Sequence, residues 1–128
     1  MKHTKNNIGK NPTFWKSTAI AAGGFVHVFR NERKVRLAFV VAVLFTSLAI
    51  WMKASHIETL FILIAWIQVI VGEIFNTSLE KVMDYAAGKE FHTLIKRGKD
   101  YAAASVFVLS VLASFVTTFI LGMNYFNS

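Results

Sequence analysis

The sequence predicts an all-α integral membrane protein with three transmembrane helices and an N-terminal amphipathic surface helix. Two observations lead to this fold class. Hydrophobic residues make up 55% of the 128 residues and charged residues only 16%, which leaves too little polar surface for a small water-soluble domain. The apolar residues also gather in three long blocks that are separated by charged segments.

The N-terminal part of the chain precedes these blocks. Residues 1–11 are polar and basic, and we expect them to form a flexible arm before a single membrane domain over residues 12–128. The first element of that domain is a surface helix over about residues 12–33, where apolar side chains such as Phe25 and Phe29 recur at near-helical spacing. Such a helix either lies in the membrane interface or packs on the other helices.

The three apolar blocks predict membrane spans over about residues 35–53, 57–87 and 95–126. The last block is the clearest, because residues 102–126 carry no charge over 25 positions and about 20 residues suffice to cross a bilayer. The first block has 16 uncharged residues, and Arg36 and Lys53 at its ends can extend to the membrane surface. The middle block has only 14, between Glu58 and Glu73, so a crossing takes Glu73 below the surface.

The basic residues are distributed unevenly between the two sides of the membrane. Eight of the 14 Lys and Arg residues precede the first span, five lie between the second and third, and only Lys53 lies in the link between the first two. Basic residues are enriched in cytoplasmic segments, so we expect the N-terminus and the segment of about residues 80–100 in the cytoplasm. This charge suits anionic lipids or a nucleotide, and we expect no nucleic-acid partner.

The stretch GEIFNTSLEKVMD, residues 72–84, places polar side chains where the second span should leave the membrane. On one helix, the side chains of Glu73, Asn76, Glu80 and Asp84 project within an arc of about 80° and extend about 16 Å along the axis. An ionised side chain inside a bilayer costs several kcal/mol, so an intramembrane acid indicates a function. Carboxylates hold Mg²⁺ at nucleotide phosphates, which makes an MgATP site one interpretation.

Residue spacing alone leaves other functions open. The sequence has neither GxxxxGK nor GxGxxG, so an ATP site would have to be built from helices. A small oligomeric membrane transporter or proton channel would also use intramembrane carboxylates, and a purely structural membrane protein would use them for helix contacts. On the same basis, Glu32 resembles a surface ion-pair residue and His92 a solvated loop histidine.

A family resemblance favours the kinase. The run EIFNTSLEKVMD at residues 73–84, with Asn31 and Glu32 before it and Gly88, Glu90, His92, Lys99 and Asp100 after it, resembles the prokaryotic diacylglycerol kinase family, which includes undecaprenol kinases. The resemblance covers roughly residues 14–126. It implies a homotrimer in the bacterial inner membrane that uses ATP and Mg²⁺ to phosphorylate the hydroxyl of a membrane lipid, either diacylglycerol or undecaprenol.

The resemblance also implies roles for individual residues. Glu73 is similar to the general base beside the reacting hydroxyl, and Asn76 to a polar neighbour that helps hold the site. Glu32 and Glu80 resemble the carboxylates that bind the metal and, through it, the nucleotide. The other residues that resemble nucleotide contacts are Asp84, Glu90, His92, Lys99 and Asp100.

Overall fold

The computed structural model of the chain describes residues 13–88 and 92–128, and within these ranges all regular secondary structure is helical. The four helices are α1 (Phe14–Asn31), α2 (Arg33–Trp51), α3 (His56–Ala87) and α4 (Thr93–Asn127). The predicted all-α fold class is therefore confirmed for the described part of the chain. The helices belong to two compact units, of which the first ends at Asn31 and the second begins at Glu32. The arm expected over residues 1–11 lies outside the described residues.

The first compact unit contains α1, and no residue of this helix is buried. Thr13 precedes the helix, and its Oγ1 accepts a hydrogen bond from the backbone N–H of Lys16 at 3.4 Å. Apolar side chains are exposed along α1, among them Trp15, while Phe25 and Phe29 stack with their ring centroids 6.2 Å apart. A helix that exposes aromatic side chains in this way suits a membrane interface.

Helices α2, α3 and α4 are each long and apolar enough to cross a membrane. Their 19, 32 and 35 residues correspond to roughly 29, 48 and 53 Å, against about 30 Å of bilayer hydrocarbon. Only 17% to 22% of the most apolar window of each helix is buried within the chain. Apolar surface exposed on this scale is suited to contact with lipid, so the chain is a multi-pass membrane protein.

Helix α3 is the central element of the second unit, because it packs against both α2 and α4. Small buried residues of α2, such as Ala42 and Ala49, let α3 approach closely. The ring of Phe45 stacks on Trp66 with centroids 5.4 Å apart, and the indole Nε1–H of Trp66 donates a hydrogen bond to Thr117 Oγ1 at 2.8 Å. A stacked ring pair and a buried hydrogen bond thus fix α3 to both of its neighbours.

The start of α3 is fixed by local hydrogen bonds. Ser55 Oγ accepts from the Glu58 backbone N–H at 3.1 Å, and Glu58 Oε1 accepts from the Ser55 backbone N–H at 2.9 Å, which forms a capping box. Glu58 Oε2 also accepts from Asn124 Nδ2 of α4 at 3.3 Å. Lys53 adopts a left-handed φ of 61° in the turn before this cap. From the cap, α3 runs without interruption to Ala87.

The hydrogen bond between Trp66 and Thr117 should contribute to stability. Thr117→Val removes the acceptor but keeps the side-chain shape, and we expect it to lower the free energy of unfolding by ~1 kcal/mol. Thr118→Val is the matched control, because Thr118 lies next to it on the exposed side of α4. Both variants can be unfolded with dodecyl sulfate in mixed micelles. Equal losses for the two would show that this hydrogen bond does not stabilise the fold.

Candidate active site

The polar residues Glu73, Asn76, Glu80 and Asp84, here called the polar stripe, all lie on the uninterrupted helix α3. Asn76 is buried, with 4% of its surface exposed, whereas Asp84 is exposed and the two glutamates are intermediate. The polar stripe therefore extends from packed surroundings to an open surface near the C-terminal end of α3. One helix holds all four side chains in a fixed register.

Two acceptor atoms of the polar stripe are buried without a hydrogen-bond partner among residues 13–88 and 92–128. They are Glu73 Oε2 and Asn76 Oδ1. The Asn76 amide nitrogen, in contrast, donates to Glu80 Oε1 at 3.1 Å. An unpaired buried acceptor costs free energy, so its presence in a native structure requires an explanation. A donor supplied from outside the chain, such as a hydroxyl or a water, would satisfy either atom.

Two salt bridges connect the start of α2 with α3 in a crosswise arrangement. Lys34 Nζ lies 3.9 Å from Glu80 Oε1, and Lys81 Nζ lies 3.3 Å from Glu32 Oε1. Each of the two predicted metal carboxylates therefore takes part in a contact between α3 and the start of α2. Lys34 and Lys81 are not among the site residues predicted from the sequence. Their closeness in sequence to the two acids was the available signal, but the pairing across helices depends on the packing of α2 on α3.

A further salt bridge connects the ends of α3 and α4. Lys99 Nζ pairs with Asp84 Oδ1, so the last residue of the polar stripe meets α4. Asp100 behaves differently, because it accepts from Lys96 Nζ at 2.8 Å within α4 itself. The side chains of Asp84 and Lys99 therefore contact each other directly, whereas the Asp100 carboxylate pairs with Lys96.

The connection between α3 and α4 contains two further predicted site residues, Glu90 and His92. Gly88 follows α3 with a φ of 59°, a conformation that glycine adopts without strain. His92 is the residue before α4, and the predicted nucleotide residue Glu90 lies outside the described residues. A Cβ on Gly98 would lie 2.5 Å from the terminal methyl of Met83. The end of the Met83 side chain thus occupies the space beside Gly98.

The carboxylates of Glu32 and Glu80 are suitable ligands for Mg²⁺. Within the part of the chain that the structure describes, no group of three His, Asp or Glu side chains is placed to hold a metal ion. A magnesium ion at a nucleotide site usually takes one or two carboxylates and completes its shell with phosphate and water oxygens. Glu32 and Glu80 offer two such carboxylates, and each of them pairs with a lysine, Lys81 and Lys34 respectively.

A groove of about 410 Å³ lies between α3 and α4. Its lining is mostly apolar but includes Gln68, Asn76 and Ser105. Gly72 also lines it, and a Cβ there would lie 2.8 Å from the Leu109 side chain. Neither the groove nor Gln68 is among the features predicted from the sequence, although the Gln68 amide stands out within a run of apolar residues.

The chain was also compared with known proteins. The family model described as prokaryotic diacylglycerol kinase matches residues 19–121, which include the whole polar stripe. The chain belongs to the prokaryotic diacylglycerol kinase family. A comparison with curated proteins finds no match. Family membership confirms the resemblance seen in the sequence and makes this diacylglycerol kinase family member a membrane lipid kinase by type.

The roles of individual residues in this family member stay predictions. Hydrogen bonds and salt bridges connect several of these residues with other side chains. Glu80 contacts both Asn76 and Lys34, and Glu32 contacts Lys81. Glu80 is thus linked to Asn76, whereas Glu32 is joined to α3 through Lys81. The pairing of Asp84 with Lys99 forms a second, separate contact farther along α3.

The unpaired Glu73 oxygen gives a stability prediction for this diacylglycerol kinase family member. Glu73→Gln replaces a partly buried carboxylate whose Oε2 has no hydrogen-bond partner among the described residues, and we expect it to raise the free energy of unfolding by ~1 kcal/mol. Glu58→Gln is the matched control on the same helix, because both Glu58 oxygens accept hydrogen bonds. That control should lose roughly 0.5–1 kcal/mol. Unfolding in mixed micelles measures both, and destabilisation by Glu73→Gln would show that its carboxylate has a partner in the fold.

Proposed function

We propose that this chain is an ATP- and Mg²⁺-dependent kinase that phosphorylates the hydroxyl of a membrane lipid, diacylglycerol or undecaprenol. The reaction takes place at the cytoplasmic face of the bacterial inner membrane, with the N-terminus in the cytoplasm. The observation that carries the proposal is the half-buried Glu73, which has an unpaired oxygen at the membrane end of the polar stripe. Membership of the diacylglycerol kinase family supports the same chemistry.

Glu73 acts as the general base in the proposed reaction. The oxygen of the lipid hydroxyl attacks the γ-phosphorus of ATP and forms a new P–O bond, while the bond from that phosphorus to the oxygen bridging to ADP breaks. The hydroxyl proton passes to the Glu73 carboxylate. Asn76, whose side-chain NH₂ group donates to Glu80 Oε1 at 3.1 Å, is proposed to help hold the site. The products are the phosphorylated lipid and ADP.

Glu32 and Glu80 are the residues proposed to hold Mg²⁺. When bound, the ion supplies positive charge to the phosphoryl group during transfer. Lys34 and Lys81 pair with these glutamates in the chain alone. In the proposed complex, their ammonium groups pair with phosphate oxygens of the nucleotide. The remaining proposed contacts to the nucleotide are Asp84, Glu90, His92, Lys99 and Asp100.

The proposed active form is a homotrimer. Glu73 and Glu80 of the polar stripe are partly exposed in a single chain, although ionisable groups at membrane depth are unfavourable in contact with lipid. A neighbouring copy would separate them from the hydrocarbon. The number three comes from the family resemblance.

Replacement of the proposed base should abolish most turnover. Because a general base contributes about 10²–10⁴-fold to a rate, Glu73→Gln should lower kcat by that factor with either lipid. Radiolabelled ATP, purified protein in lipid-containing micelles and chromatography of the lipid product provide the measurement. Glu58→Gln should keep turnover near that of the parent chain. Full activity of Glu73→Gln would remove Glu73 from the mechanism.

The metal assignment gives a separate prediction. Glu80→Gln removes one of two proposed magnesium carboxylates, so the Mg²⁺ concentration for half-maximal rate should rise by roughly tenfold or more. Glu32→Gln should behave in the same way. The titration is done at saturating ATP, with Glu58→Gln as the control whose magnesium requirement stays unchanged. If the Glu80 variant required no more magnesium than the parent chain, Glu80 would not be a ligand.

A further inference from the structure

We propose that α4 binds an anionic phospholipid of the surrounding membrane, with the lipid phosphate on Arg97 and an acyl chain in a second groove that follows it along the helix. This second groove has a volume of about 550 Å³ and is lined by Tyr101, Ala104, Ser105, Val108 and Leu109. The lipid is neither the acceptor nor the nucleotide of the proposed reaction. The inference therefore does not depend on the kinase activity.

Arg97 carries a positive charge that has no ion pair among residues 13–88 and 92–128. At the same end of the helices, four carboxylates each pair with a lysine, namely those of Glu32, Glu80, Asp84 and Asp100. The nearest of them along the chain, Asp100, accepts from Lys96 at 2.8 Å. The exposed guanidinium of Arg97 is therefore suited to a phosphate from outside the chain, which it can bind through two N–H groups.

Arg97 projects to the side of α4 that faces away from α3. Residues two apart on a helix project about 160° apart, and Lys99 is the residue that pairs with Asp84 of α3. The buried Val106, nine residues after Arg97, likewise projects about 180° from it. Arg97 therefore lies on the outer face of α4, opposite the contacts that hold the helix to the rest of the unit.

The second groove begins one turn from Arg97 and continues along the same face. Tyr101 and Val108 line it and project within about 40° of Arg97 around the helix. Both side chains are exposed, with 69% and 63% of their surface accessible. No charged residue follows Asp100 in the sequence, so this face is suited to contact with acyl chains.

The depth of Arg97 matches the position of a lipid phosphate. Four residues separate Arg97 from Tyr101, a rise of about 6 Å along the axis. The headgroup layer adds roughly 5–7.5 Å on each side of the hydrocarbon. A lipid whose acyl chain lies along the groove therefore carries its phosphate at the level of Arg97. A zwitterionic headgroup brings its own cation to the phosphate, so the charge of Arg97 favours an anionic lipid.

The test places a fluorescent reporter in the second groove of the full chain. Tyr101→Trp is the first reporter, and Val108→Trp is a second one that leaves Tyr101 in place. The signal of the three native tryptophans is subtracted with the parent chain. Each protein is reconstituted in dioleoylphosphatidylcholine vesicles with increasing fractions of a lipid brominated on its acyl chains, either phosphatidylglycerol or phosphatidylcholine. Bromine quenches tryptophan only at short range, so quenching reports which lipid occupies the groove.

We expect brominated phosphatidylglycerol to quench both reporters at about a fivefold lower lipid fraction than brominated phosphatidylcholine, the effect of one basic residue at a phosphate. Arg97→Gln should bring this ratio to about one. Arg33→Gln is the matched control, because it removes the same charge from an exposed position at the start of α2, and it should keep the ratio. Excess inorganic phosphate should leave the ratio unchanged, because it lacks the acyl chain.

Four outcomes would overturn the proposal. The first is equal quenching by the two lipids before Arg97 is changed, and the second is a preference that persists in Arg97→Gln. The third is an equal loss in Arg97→Gln and Arg33→Gln, which would indicate general attraction to the membrane surface. The fourth is loss of the preference in inorganic phosphate, which would assign Arg97 to a soluble anion.

Absence of quenching by either lipid at both reporters would also overturn the proposal, because it would show that a second copy of the chain covers this face. None of these measurements involves turnover. A negative result would therefore leave the proposed kinase function intact, and an inactive kinase would leave the lipid site intact.

Discussion

The hydrocarbon of a bilayer offers no hydrogen-bond partners, and this constraint governs the whole structure. Backbone polar groups are satisfied within helices, so the chain crosses as α2, α3 and α4. The same constraint makes each polar side chain inside the helices informative. Some are paired, as Trp66 is with Thr117, and these hold the helices together. Others, such as Glu73 Oε2 and Asn76 Oδ1, have no hydrogen-bond partner among the residues that the structure describes.

Helix α3 combines the structural and chemical requirements in one element. Its first half contacts α2 and α4 through the Trp66 ring, and its second half carries the polar stripe. The two halves share one register because the helix is continuous. A change in the packing around Trp66 would therefore also displace Glu73 and Glu80. A rigid helix thus suits a site that needs carboxylates at fixed positions.

The sequence predicted the features that depend on local periodicity. The all-α class follows from the apolar blocks, and the placement of Glu73, Asn76, Glu80 and Asp84 on one helix follows from its period of about 3.6 residues. The salt bridges of Glu32 with Lys81 and of Glu80 with Lys34 could not be predicted, because they depend on the packing of α2 on α3. The groove beside Gln68 likewise depends on how α3 and α4 meet.

The crosswise salt bridges have a consequence for how charge enters and leaves the site. In the chain alone, one ammonium group faces each of these two carboxylates. In the proposed reaction, Glu32 and Glu80 would hold the magnesium ion, and Lys34 and Lys81 would then be free to pair with phosphate oxygens. Such an exchange of counterions would leave each of the four side chains with an oppositely charged partner, which is an advantage beside a low-dielectric membrane.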